Sequence, residues 1–116
     1  MEFELSGHKG LRLWMQTLTY AVTDKLPDIT SRQMAVLMRV YLEAQPHTVR
    51  GLAASLGVSK PVITRAIDTL SALGFVKRVR DEKDKRNVLI QRTVKGAVFL
   101  TDFAEMMEKA NQVANH

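Results

Sequence analysis

Residues 57–78 read GVSKPVITRAIDTLSALGFVKR. One glycine opens the stretch, a Lys-Pro pair starts a helical pattern, and a second glycine leads into a basic run. At about 100° per residue, Val62, Ile63, Ala66, Ile67, Leu70 and Leu73 fall on one half of the helix wheel. Lys60, Pro61, Thr64, Arg65, Asp68, Thr69, Ser71 and Ala72 fill the other half. The apolar half belongs in a core. Ser59, Lys60, Pro61, Thr64 and Arg65 offer hydroxyls, a compact ring and two cations, with nothing bulky to keep the backbone out of a major groove about 12 Å wide. Pro61 gives up no helical hydrogen bond in a first turn. Arg65 suits guanine O6 and N7, and Thr64 a thymine methyl or a phosphate.

Upstream, Thr48 caps a short helix through Leu56, and Gly57 supplies the left-handed turn to the helix that Ser59 opens. Ala53 lets the two helices approach, while Leu52, Leu56, Val58 and Ile63 pin their crossing. Residues 48–73 therefore read as a helix-turn-helix. Downstream, Phe75–Arg80 and Val88–Arg92 are β-leaning runs around the polar loop DEKDKRN, a hairpin over 75–92. Lys83, Lys85 and Arg86 at its tip can reach phosphates or a minor groove, and Asp84 orients Arg86 or the loop backbone rather than touching DNA. Thr48, Arg50 and Lys77 are the further phosphate candidates.

The flanks are helical. Leu11, Trp14/Met15, Leu18, Ala21/Val22 and Leu26 form one apolar stripe over residues 8–26, broken by Pro27-Asp28. Thr30 and Gln33 fit a capping box, opening a helix that buries Met34, Leu37/Met38 and Tyr41/Leu42 and stops before Pro46. Thr93 opens a last helix, with Val94, Ala97/Val98, Leu100, Phe103/Ala104, Met107, Ala110 and Ala114 on a wide apolar face. Its outer side, with Met106 and Met107, is the candidate partner surface. The fold class is mainly α (α+β), one domain over residues 1–116 with a small antiparallel hairpin.

Charge agrees with a polyanionic partner. Residues 50–95 hold eleven Lys/Arg against four acids, a net +7, while the remainder of the chain is slightly acidic. Cysteine is absent, which excludes disulfides, thiolate metal sites and a thiol redox switch. MEFELSGHKG has no signal-peptide core and no apolar run approaches a membrane span, so a cytoplasmic, membrane-free protein is expected. His8, His47 and His116 are scattered, no phosphate loop or hydrolase motif occurs, and the acids of the hairpin loop sit among cations. No enzyme activity, cofactor or metal is expected.

ITSRQMAVL, TVRGLAASLGVSKPVITRAIDTLSALGFVKR and RDEKDKRNVLIQRTVKGAVFL, in this order and spacing over residues 29–103, resemble the MarR family of winged-helix transcription regulators. The resemblance implies a homodimer on a pseudo-palindromic double-stranded DNA site, with recognition helices in major grooves and wings in flanking minor grooves. The family's wing Asp and Arg match Asp84 and Arg86, and its recognition-helix contacts match Ser59, Lys60, Pro61, Thr64 and Arg65. Only residues 8–26 and 94–114 are available as dimerisation helices. So thin a helical layer disfavours the small-molecule effector that many members hold. The rival readings are a winged helix that binds protein, which needs an apolar reading face, and an architectural or replication-linked DNA binder without regulatory output.

Overall fold

Three of the helices stop in the same way, and those stops set the architecture. The computed structural model describes residues 8–115, in the order α1 (His8–Thr23), α2 (Ser31–Leu42), α3 (Val49–Leu56), α4 (Lys60–Ala72), β1 (Val76–Arg80), β2 (Val88–Arg92) and α5 (Val94–Asn115). His116 and most of the stretch read for a signal peptide lie outside the described residues. Past α3, the Val58 N–H donates to the Ala53 carbonyl (3.1 Å) and Gly57 takes the left-handed conformation, φ 66°. Past α4, the Phe75 N–H donates to the Leu70 carbonyl (2.9 Å) with Gly74 at φ 81°. Both are Schellman closures, in which a left-handed residue turns the chain and satisfies the last carbonyls.

Helix α1 closes identically, with Leu26 N–H on the Ala21 carbonyl (3.0 Å), but the left-handed residue is Lys25, φ 56°. The helix therefore ends at Thr23, short of the expected residue 26. Proline was the visible stop signal, whereas a left-handed lysine carries none in the sequence.

Within the unit Ile29–Phe99, α2 opens on the expected capping box: Thr30 Oγ1 accepts from Gln33 N–H, and Gln33 Oε1 accepts from Thr30 N–H. Its buried line differs from the expected one. Val36, Leu37 and Val40 are fully buried, Met34, Met38 and Tyr41 are half-buried, and Leu42 is 77% exposed. Helix α2 packs on α4 and β2 together, and the two β-branched valines beside Leu37 serve those two neighbours better than the methionine stripe does. Ile63, Ala66, Ile67 and Leu70 complete the core from α4, with Leu52, Phe75, Val76 and Ile90.

The hairpin is antiparallel, with Val76 opposite Arg92 and Arg78 opposite Ile90. Its second strand also docks on the chain before α3, where Ile90 N–H donates to the His47 carbonyl (2.9 Å) and Thr48 bridges Leu89. Two side chains lock this arrangement. Arg92 donates Nε to the Val40 carbonyl (2.8 Å) and Nη2 to the Glu43 carbonyl (3.1 Å), a cation on the open end of α2. The Tyr41 hydroxyl oxygen lies 2.7 Å from the Phe75 carbonyl and 3.0 Å from the Thr93 carbonyl, and accepts from Thr93 N–H (2.9 Å). Thr93 caps α5 as expected, accepting from Gly96 N–H (3.0 Å). Val94 and Val98, expected on the apolar face of α5, are exposed.

The second unit comprises the segments Met1–Asp28 and Leu100–His116. Its buried residues include Thr17, whose hydroxyl donates to the Leu13 carbonyl (2.7 Å), together with Phe103 and Ala110. Lys109 lies 4.9 Å over the Tyr20 ring. The apolar stripe of α1 faces outward: Leu11, Trp14, Met15, Leu18 and Val22 are 43% to 77% exposed.

Candidate nucleic-acid interface

An open groove of about 780 Å³ runs between the start of α3, the start of α4 and the wing. Thr48, Val49 and Arg50 line one wall, Lys60 and Thr64 the second, and Asp84, Arg86, Asn87 and Val88 the third. Five residues expected to meet DNA thus share one concavity, Thr48, Arg50, Lys60, Thr64 and Arg86, together with Asp84, which was expected to orient Arg86. Helix N-termini favour anions because their amide dipoles and free N–H groups point outward. Here the first turn of α3 and the first residue of α4 both reach the groove.

Local chemistry fixes each wall. Thr48 Oγ1 accepts from Gly51 N–H (3.0 Å), so this hydroxyl is already engaged as the cap of α3. Ser59 occupies the N-cap position of α4, yet its side chain makes no cap bond, contrary to the expectation that it caps the helix. Pro61 lies in the first turn, as its missing N–H allows. Pro61, Thr64 and Arg65 are all exposed, as is Lys60.

The wing tip is built on two carboxylates. Asp81 Oδ1 accepts from Lys83 N–H (2.9 Å), and Asp84 Oδ1 accepts from Arg86 N–H (3.1 Å), each bridging to the backbone two residues on. Asp84 also takes both arms of the Arg86 guanidinium, at 3.1 and 3.2 Å. The guanidinium, and after it the Arg86 N–H, holds the Asp84 carboxyl below its ordinary pKa. Asp84 stays ionised and aims Arg86, whose side chain is still 90% exposed. That is the role read for Asp84 from the sequence.

Lys83, grouped with Arg86 from the sequence, is not on the groove. It lines a separate depression with Pro46, Val79, Arg80 and Gln91. The Asp81 turn separates it from its neighbours, and a turn's handedness cannot be read from a run of charges. Arg65, Lys77 and Lys85 are exposed, outside the groove lining. Conversely, Val49, Asn87 and Val88 line the groove without having been singled out. The pairing of the Arg78 guanidinium with Asp68 on α4 was not anticipated either. Strand alternation held the signal, since Arg78 shares a face with Val76, which is buried.

Among the described residues no group of acids and histidines is placed to hold a metal, and no helix is long and apolar enough to cross a membrane. The sequence profile of the MarR family matches residues 29–88, just over half of the chain.

The chain belongs to the MarR family.

MarR-family proteins are DNA-binding transcriptional regulators and not enzymes. The fold agrees with solved MarR-family structures. A point mutant of MepR from S. aureus superposes with a TM-score of 0.77 at 20% identity, over 97% of this chain and 82% of that one. The S. aureus MepR–DNA complex gives 0.73 at 23% identity, over 89% and 86%. CouR from Rhodococcus jostii RHA1, bound to p-coumaroyl-CoA, gives 0.65 at 27% identity, over 89% and 70%. No curated protein sequence matches the chain.

Proposed function

We propose that this MarR-family protein is a sequence-specific regulator that binds a pseudo-palindromic operator as a homodimer. The observation that carries the reading is the groove joining Lys60 and Thr64 of the recognition helix to Arg86 of the wing and Arg50 of α3. Recognition helix α4 enters the major groove; Arg65 and Thr64 meet base edges, while Ser59, Lys60 and Pro61 set the approach. Arg86 reaches the adjoining minor groove, held by Asp84. Arg50, Lys77, Lys83 and Lys85 serve phosphates, and Thr48 contributes as the cap that orients the α3 N-terminus.

The whole chain acts as one DNA-binding domain whose terminal helices pair with those of a second copy. The outward stripe Leu11, Trp14, Met15, Leu18 and Val22 supports that pairing, because apolar residues at this spacing on one exposed face call for a cover. The outer face of α4 carries hydroxyls and cations where a protein-binding winged helix needs apolar surface.

Arg65→Ala tests the reading edge. It is expected to lose about 1–3 kcal/mol on the target duplex and to relax preference at one base pair. Binding titrations on the target and on single-position variants read both effects. An equal loss on random duplex would make Arg65 a phosphate contact and contradict its assigned role.

A further inference from the structure

The recognition helix carries one acid, Asp68, on its exposed side, one turn beyond Thr64. A bare carboxylate there would repel phosphate. In the structure Arg78 of β1 covers it, donating Nη2 to Asp68 Oδ1 and, at 3.5 Å, to the Thr64 carbonyl. Arg78 is itself fixed from below, because its strand partner Ile90 and its face-mate Val76 are buried. One guanidinium therefore spans a single turn of α4 and fastens that turn to the base of the wing.

We propose that Arg78 is a positioning residue for DNA reading. It cancels the acid of the recognition helix and holds the Thr64–Asp68 turn in register with the wing that carries Arg86. The inference rests on the DNA-binding reading above. An exposed ion pair adds little to folding, so its consequence lies in binding. Neither Arg78 nor Asp68 needs to touch DNA. Paired, they present phosphates with no net charge; unpaired, either one changes the charge count and frees the helix turn from the wing.

Three proteins decide it, Asp68→Asn, Arg78→Ala and the double variant, each checked for an unchanged circular dichroism spectrum. Asp68 is exposed, so Asp68→Asn folds whatever Arg78→Ala does. Affinity is measured on a random-sequence duplex and on the duplex selected from genomic DNA. Asp68→Asn should release Arg78 to phosphate and steepen the logarithmic salt slope by about 0.9 per protomer, about 1.8 for the dimer, a further loss of about 12-fold between roughly 50 and 200 mM salt. Its preference for the selected duplex should fall. Arg78→Ala should weaken both duplexes and flatten the slope, because Asp68 then opposes a phosphate. The double variant should regain the wild-type slope but not the wild-type preference.

Wild-type slope and preference in all three proteins would reduce the pair to surface decoration and overturn the proposal. A flattened slope in Arg78→Ala with no change in Asp68→Asn would make Arg78 a direct phosphate contact, which also overturns it. If the wild-type protein binds neither duplex at low salt, the DNA-binding reading itself fails and takes this inference with it. Wild-type binding with unresponsive variants removes the inference alone.

Discussion

Raising salt from roughly 50 to 200 mM is expected to weaken operator binding by about 10³–10⁵-fold, if a dimer neutralises roughly 6–10 phosphates. The effect arises because each cation that meets a phosphate releases a condensed counterion, and that release weakens as bulk salt rises. Each protomer offers Arg50, Lys60 and Arg86 on the groove and Lys77 and Lys85 as further exposed cations outside its lining, so two protomers supply enough for that range. Arg86 has a further feature. Its partner Asp84 keeps it aimed without removing it from solvent, so Arg86→Ala should flatten the slope as well as weaken binding. Fluorescence anisotropy at several salt concentrations gives both numbers. A flat response in the wild-type protein would contradict an electrostatic interface.

Gly96→Ala is expected to meet the tightest contacts of any glycine-to-alanine change among the described residues. A Cβ built at Gly96 would lie 2.0 Å from Tyr41 Oη and 2.3 Å from the Phe75 carbonyl oxygen. Neither neighbour gives way cheaply. The carbonyl is backbone, and the hydroxyl is held by bonds to Phe75 and Thr93. Alanine in a helix gains about 1 kcal/mol over glycine. Overpacking costs about 1–3 kcal/mol, and each disrupted part-buried hydrogen bond adds about 1 kcal/mol. The clash wins, by about 2–3 kcal/mol, which lowers the thermal midpoint by about 10 °C or more. Gly10 is the control: nothing lies within 4 Å of a Cβ there, so Gly10→Ala should be neutral or stabilising. Equal midpoints for the two variants would show that Tyr41 is not the fixed anchor described here.

Much of the fold was legible because its signals are local. The left-handed Gly57, the helix end at Gly74, the Thr30–Gln33 box and the Thr48 cap are patterns within six residues, and each was visible in the order of the amino acids. The pairing of Asp84 with Arg86 was legible for the same reason. What stayed hidden is long-range. Tyr41 reaches Phe75 and Thr93, Arg92 reaches back to Val40 and Glu43, and Arg78 reaches Asp68, across ten to 52 residues. No periodicity announces such bonds.

Burial of α2 shows the same limit. Its sequence contains two overlapping apolar lines, and only the positions of α4 and β2 choose Val36, Leu37 and Val40 over the methionines. For α1 the stripe was legible but its direction was not. A helix wheel shows that one face is apolar, and says nothing about whether that face meets its own chain or another.

Sequence-specific binding by a dimer is tested most directly by selection. Purified protein is mixed with sheared DNA from its source organism, and the bound fragments are sequenced. An enriched inverted repeat, with half-sites about one helical turn of roughly 10 base pairs apart, is the predicted result. Fragments recovered without a shared motif, or no fragments recovered at low salt, would contradict it.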